Sequence, residues 1–318
     1  MPFNNRTIRL ERINLEDKSF QITTETAMDS LVASIARMGM MHPPVLLGDE
    51  ACSVVVSGFR RIAACKFLEL TEISAKILPP ETDRQTCIYW AVADNALQRP
   101  LNLIETSRAL TRLTEVYVEP DDLCRVAREL GLPDNLSAID KMRQLSGLSV
   151  EIQEGVLSNT LSLAMALELG KLEIPAGVAM AQLFGYLKLG LNKQRELLLM
   201  IQEIAFRDRL SVHEILNSSD FRSIVDHEKW DRSQKTLKIR QYMKRRRFPS
   251  ITTAEKNFED AVRSLSLENG VMLIPPQDFE GNDFCFHLLF HTQDELHHRL
   301  SGLTEASNHP ALSRILSG

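Results

Sequence analysis

Ser57-Gly58-Phe59-Arg60-Arg61-Ile62-Ala63-Ala64 is the stretch on which the reading of this chain turns. It follows an apolar run, Cys52-Ser53-Val54-Val55-Val56, whose β-branched residues predict a strand. It leads into residues 62–68, Ile-Ala-Ala-Cys-Lys-Phe-Leu, which predict a helix. Between them sits a glycine, where backbone can approach a ligand closely, then two adjacent guanidinium groups at a helix start. A helix N-terminus presents unpaired N–H groups and the positive end of the dipole, so strand, glycine, Arg-Arg and helix suit a phosphate group. The competing reading is a solvated arginine pair that merely opens a helix.

Two further blocks flank this one. Upstream lies Ser34-Ile35-Ala36-Arg37-Met38-Gly39-Met40-Met41-His42-Pro43-Pro44-Val45-Leu46. Downstream, after a strand-like segment at 73–78, comes Asp94-Asn95-Ala96-Leu97-Gln98-Arg99-Pro100-Leu101-Asn102-Leu103-Ile104-Glu105. In order, spacing and flanking elements the three blocks resemble the N-terminal domain of ParB-family partition proteins, over roughly residues 5–115. That family carries a Gln-Pro segment after a glycine and two aliphatic residues, then a Gly-Glu-Arg-Arg-x-Arg-Ala box, then a Glu-Asn-x-Gln-Arg box.

The resemblance implies a ParB/sulfiredoxin-like α/β domain holding CTP and Mg²⁺. Carried over position by position, it places Gly58, Phe59, Arg60 and Arg61 on the nucleotide and Asp94 with Asn95 on the metal and nucleotide. A carboxylate plus an amide beside a triphosphate suits a hard cation that takes oxygen ligands. This chain departs from the family pattern at Phe59, where the box has glutamate, and at Ala63, where it has its last arginine. His42 stands where the family has glutamine, and Gln98-Arg99 is displaced by one position. With those departures the resemblance implies at most a slow CTPase.

Composition sets outer bounds. A chain of 318 residues predicts two or three domains. With 44% hydrophobic and 25% charged residues it reads as ordinary globular protein. No uninterrupted apolar run is long enough to span a bilayer, and Met1-Pro2-Phe3-Asn4-Asn5 lacks the apolar core of a signal peptide. The five cysteines are scattered without a Cys-x-x-Cys pair, which predicts buried thiols in a reducing cytoplasm. A net charge of −5 provides no global attraction to nucleic acid, so DNA affinity requires a local basic surface.

Beyond residue 100 the pattern turns helical. Residues 102–110 open an amphipathic helix, and residues 122–132 read as the first helix and glycine turn of a helix-turn-helix. In that unit Ala127 occupies the close helix crossing and Gly131 the left-handed turn position. Residues 136–145 would be the second helix, offering Ser137, Lys141 and Arg143 to the groove, with the acids Asp134 and Asp140 nearby. A plain helical hairpin is the alternative. Residues 148–158 and 164–169 resemble the helices that follow the DNA-reading unit in ParB proteins.

Residues 229–247 are strongly basic, and Lys244, Arg245, Arg246 and Arg247 are candidates for sequence-independent DNA contact; a solvated helix face or linker is the alternative. Thr252 and Thr253, followed by Glu255 and Lys256, predict a capped helix from Ala254. Two strands at 271–274 and 284–290, separated by Pro275-Pro276 and Glu280-Gly281-Asn282-Asp283, precede a capped helix at 292–303. This helix–strand–strand–helix pattern resembles the ParB C-terminal dimerisation module, and a lone hairpin completes its core across a symmetric partner. His287, His291, His297 and His298 match no zinc spacing.

The expected fold class is therefore α+β multidomain. It comprises a ParB-like nucleotide-binding α/β domain (1–115), an all-α helix-turn-helix DNA-binding domain (116–225), a basic linker (226–251) and a small α+β dimerisation domain (252–318). The resemblance implies a cytoplasmic, nucleoid-associated protein of chromosome or plasmid partition, a CTP-gated dimeric clamp. Its implied partners are double-stranded DNA, a second copy in a homodimer and a ParA-type ATPase, and no membrane. One alternative is a ParB-derived transcription regulator that has lost the nucleotide, to which Phe59, Ala63 and His42 point. The other is a sulfiredoxin-fold enzyme or nuclease, the former needing a thiolate beside the phosphate loop.

Overall fold

The computed structural model describes residues 4–24, 28–49, 52–279, 281 and 283–316. Met1, Pro2, Phe3, Glu280 and Asn282, read above from sequence, lie outside the described residues. The chain divides into two compact units, residues 1–194 and 195–318.

The first unit opens with β1 (Asn4–Arg9), β2 (Ile13–Asn14), α1 (Asp29–Met38), β3 (Val45–Gly48), β4 (Ser53–Ser57), α2 (Phe59–Phe67) and β5 (Glu72–Leu78). The five strands form one mixed sheet in the order β1-β5-β3-β4-β2. β1 runs antiparallel to β5, with Asn4 opposite Ile77 and Arg9 opposite Glu72. β3 is parallel to β5 and antiparallel to β4. Both faces of the sheet are covered, which is why β4 is apolar on both sides. On one face Ile35 of α1 and Ile62, Ala64 and Cys65 of α2 join Leu46, Val55 and Ile73. On the other, Val45, Val56 and Leu78 join Cys87, Ile88 and Val92 of α3 (Arg84–Ala96).

The strand expected at 52–56 is β4, one residue later, and the following helix starts at Phe59 rather than Ile62. Gly58 sets that boundary. Its φ of +96° ends the strand and caps the helix, so both arginines fall in the first helical turn.

α4 (Leu103–Val116) begins with a capping box in which the Asn102 side chain accepts from the Glu105 N–H and Glu105 accepts from the Asn102 N–H. Then come α5 (Pro120–Glu129), α6 (Leu136–Ser146), α7 (Val150–Leu157), α8 (Leu163–Leu169) and α9 (Ile174–Leu187). The apolar cluster on the second sheet face continues through Ala109 and Leu113 of α4, Val126 and Ala127 of α5, and Ile139 of α6. It crosses residues 115–116, where the sequence places a domain boundary. Gly131, between α5 and α6, adopts φ +69° with nothing within 4 Å of a hypothetical Cβ.

α10 (Leu191–Asp208) contains the division point. The second unit continues with α11 (Val212–Asn217), α12 (Ser219–Val225), α13 (Arg232–Arg247), α14 (Pro249–Leu265), β6 (Val271–Ile274), β7 (Cys285–Leu288), α15 (Gln293–Ser307) and α16 (Pro310–Leu316). The basic stretch expected as a linker is here helix α13, capped by Asp231 and burying Ile239 and Met243. One turn apart on one face, these two apolar residues anchor it despite the surrounding charge. α14 begins at Pro249, a residue pre-set for a first helical position, not at Ala254. Thr253 lies inside that helix, its hydroxyl donating to the Pro249 carbonyl at 2.8 Å, and the side chain of Thr252 lies outside the described residues.

β6 and β7 form an antiparallel hairpin with Val271 opposite Leu288 and Ile274 opposite Cys285. Alternation turns Val271 and Leu273 inward, Leu273 within an apolar cluster that includes Leu265 and Leu312, and leaves Met272 and Ile274 facing out. Among the described residues no helix is long and apolar enough to cross a membrane.

Candidate functional site

The end of β4, the start of α2, the last turn of α3 and the His42 loop enclose a cleft of about 310 Å³. Gly58, Phe59, Arg60, Arg61, Asp94 and Asn95, all assigned to it from sequence, line it together with His42. Gly58 is the tightest point. A Cβ there would lie 2.7 Å from the Cβ of Pro44, so the loop and the strand end can meet only over a glycine. The first-turn N–H groups of α2 have no intrahelical acceptor and open at this point.

Arg61 and Asp94 do not present themselves as ligand groups. Arg61 Nη2 donates to Asp94 Oδ2 at 2.5 Å, and Nη1 donates to the carbonyls of His42 at 2.8 Å and Pro43 at 3.2 Å. The Ser57 hydroxyl donates to the same Asp94 oxygen. Gln98 Nε2 donates to the other, Oδ1, at 2.9 Å. Both carboxylate oxygens are thus engaged, and the Asn95 amide donates to the Ala91 carbonyl at 2.8 Å within its own helix. Among the described residues no group of three His, Cys, Asp or Glu side chains could hold a metal ion. As arranged, the Asp94–Asn95 pair does not fit Mg²⁺, because the charge a cation would use is neutralised by Arg61.

Phe59 turns its ring to Lys18, whose Nζ stands 5.5 Å from the ring centroid. Phe20, Ile22, Leu31 and Val56 supply an apolar wall. Among the described residues no cysteine lines the cleft. Burial pushes the Cys87 thiol up to about 11 and also raises Cys65, the opposite of what thiolate chemistry needs.

Sharing Arg99 with the cleft is a second polar cluster that the site assignment from sequence omitted. Glu105 is 1% exposed and takes two hydrogen bonds from Arg99, at 2.7 and 2.8 Å. It also accepts from the backbone N–H of Thr24 at 3.1 Å and of Asn102 at 3.2 Å. Burial raises its carboxyl, but the bonds from Arg99, Thr24 and Asn102 outweigh this and hold it below the ordinary value. Asn102 donates to the Thr24 hydroxyl at 3.0 Å and Arg108 to the Thr23 carbonyl at 3.0 Å, so this end of α4 fastens the segment that walls the cleft. The Asn-x-x-Glu cap at 102–105 is the sequence signal that marks it. Ser57 and Gln98 were likewise absent from the expected site.

On α6, Ser137, Lys141 and Arg143 are all exposed. Lys141 and Arg143 are two residues apart and so lie about 160° from each other around the helix, on opposite flanks. They cannot share one groove-facing stripe. Arg143 approaches Asp140 at 3.6 Å, and Asp134 is bound by Arg128 at 2.7 Å. On α13, Lys244 pairs with Glu255 at 2.8 Å, Arg246 with Asp208 at 3.0 Å and Arg247 with Glu203. Arg245 alone of that run faces out without a carboxylate partner among the described residues.

No protein-family model matches the chain. A probable chromosome-partitioning protein ParB of Helicobacter pylori is 21% identical over 162 residues, 50% of this chain and 53% of that protein. One of Chlamydia pneumoniae is 29% identical over 160 residues, 49% of this chain and 54% of that protein. Over this half of its length the chain is similar to ParB proteins. It spans about half the length of those ParB proteins. A solved structure, C-terminally truncated ParB of Caulobacter crescentus complexed with CTP-gamma-S, is 20% identical, covering 57% of this chain and 98% of that one at a TM-score of 0.26.

Proposed function

We propose that this chain is a ParB-like protein that binds double-stranded DNA as a homodimer in chromosome or plasmid partition, with CTP in the Gly58 cleft acting as its gate. One observation carries the reading. Three sequence blocks separated by tens of residues, represented by His42, Gly58–Arg61 and Asp94–Arg99, converge on one cleft. Arg60 and the first-turn N–H groups of α2 would hold the triphosphate, and the apolar wall of Phe20, Ile22 and Leu31 would receive the base and sugar. Bound CTP would supply the negative charge that draws the His42 loop and α2 together. No step is assigned to Mg²⁺ or to hydrolysis. DNA reading would fall to α5 and α6, and a ParA-type ATPase would be the partner in partition.

Calorimetry with CTP, ATP, GTP and UTP, each with and without duplex DNA, tests the reading. CTP should bind in preference to the other three, and Arg60→Ala should abolish binding. Flat traces with all four would instead support a regulator that kept the architecture and lost the nucleotide. The Arg61–Asp94 bond favours that second reading, because it occupies two of the groups the nucleotide and its cation would use.

A further inference from the structure

A second and larger cleft, of about 740 Å³, lies between α12 and α13 in residues 195–318. Lys238, Tyr242 and Arg245 line it from α13 at positions i, i+4 and i+7, and therefore form one stripe of that helix. Trp230 and Ile224 give its apolar wall, and Asp220 is its acid. Lys238 Nζ stands 5.8 Å over the Trp230 ring, and His227 stacks on that ring at 3.7 Å with an interplanar angle of 12°. The indole is thus fixed by one neighbour and steadies the ammonium of the other. Arg245 Nε donates to the Gln241 carbonyl of its own helix at 3.4 Å, and no carboxylate pairs with its guanidinium among the described residues.

Four other cations of α13 are used differently. Arg240 binds Glu196 at 2.9 Å, and Lys244, Arg246 and Arg247 hold Glu255, Asp208 and Glu203. Three cations of the helix thus line the cleft: Arg246, which is held by Asp208, and the pair Lys238 and Arg245, which have no carboxylate partner among the described residues. That pair is seven residues apart, about 10 Å along the helix axis, too far to grip one phosphate and well placed to touch two.

We infer that the α12–α13 cleft binds the phosphodiester backbone of duplex DNA through Lys238 and Arg245, without reading bases. The inference rests on the DNA-binding reading above and moves the sequence-independent contact from the Lys244–Arg247 run to the Lys238–Arg245 stripe.

The test uses the full chain, fluorescence anisotropy with a labelled random-sequence duplex, and a salt titration. Lys238→Ala with Arg245→Ala should weaken binding at least tenfold and reduce the slope of log K against log salt by about 2, one unit per lost phosphate contact. Arg245→Gln alone should reduce it by about 1. Arg240→Ala with Arg247→Ala, both outside the cleft lining, should lower the melting temperature and leave the slope unchanged. If wild type binds the random duplex and the double variant keeps its slope, the inference fails while DNA binding stands. If wild type binds no duplex, both fail. Competition by inorganic tripolyphosphate that the double variant abolishes, with duplex affinity unaltered, reassigns the cleft to small phosphates and overturns the proposal.

Discussion

Arg61 Nη2 and Asp94 Oδ2 stand 2.5 Å apart in the wall of the cleft, with side chains only 16% and 19% exposed. The two groups that the sequence resemblance assigns to the nucleotide and to the metal are here bonded to each other. Asp94→Ala strips an acceptor from Arg61, Ser57 and Gln98 and should cost about 1–3 kcal/mol. Arg61→Ala should cost a similar amount, and the double variant should fall short of the sum by about 0.5–3 kcal/mol. Urea denaturation of the four proteins measures this, and strict additivity would show that the bond does not form.

Glu105 should make stability depend on acid. Its carboxyl is held below the ordinary value of 4.5 in the fold. A lowered carboxyl contributes stability above its unfolded pKa and loses it as pH falls through the folded value. Glu105→Gln should therefore be destabilised by about 1–3 kcal/mol at neutral pH, the loss being moderated by the 40% exposure of the Arg99 side chain. That gap should narrow steadily as pH is lowered from about 6 toward 3. A gap independent of pH would mean Glu105 is not charged in the native state.

Two glycines with positive φ should respond unequally to alanine. At Gly58 the new methyl meets Pro44 at 2.7 Å as well as a φ of +96°. Gly58→Ala should lose well over 1 kcal/mol and weaken CTP binding by displacing the start of α2. At Gly131 nothing lies within 4 Å, so Gly131→Ala bears only backbone strain of about 1 kcal/mol. Thermal melts of the two variants should differ by several degrees.

The hairpin's outer face tests the homodimer. Met272 and Ile274 are 45% and 44% exposed on the face of β6 opposite Leu273. Met272→Asp with Ile274→Asp in the full chain should shift the mass by light scattering from dimer to monomer while circular dichroism is unchanged. A dimer that survives both charges places the interface elsewhere.

Local signals in the sequence carried much of this fold. A β-branched run, a glycine and a helical pattern place β4 and α2 within a few residues, and the Asn102–Glu105 cap places the start of α4. β1 had no such signal, because its strand character comes from pairing with β5, far along the chain. α13 was obscured by its charge, which hides the Ile239–Met243 spacing. Within the cleft, sequence identified which residues gather there. It could not identify which of them bond to one another, because Asp94 is equally suited to a cation and to a guanidinium. Only the placement of Arg61 one turn beyond Ser57 decides between them.

The two outer strands of the sheet are very unequal guards. β1 pairs with β5 from Glu72 to Ile77, whereas β2 covers the flank of β4 with two residues, Ile13 and Asn14. An expression fragment that starts after Arg9 would bare the backbone of β5 from Glu72 to Ile77, a ladder of unpaired N–H and C=O groups open to pairing with another chain. Such a fragment should precipitate or domain-swap even with every cleft residue intact. For anyone trimming this protein for crystals or tethering it to a surface, the six residues from Asn4 are the ones to leave alone.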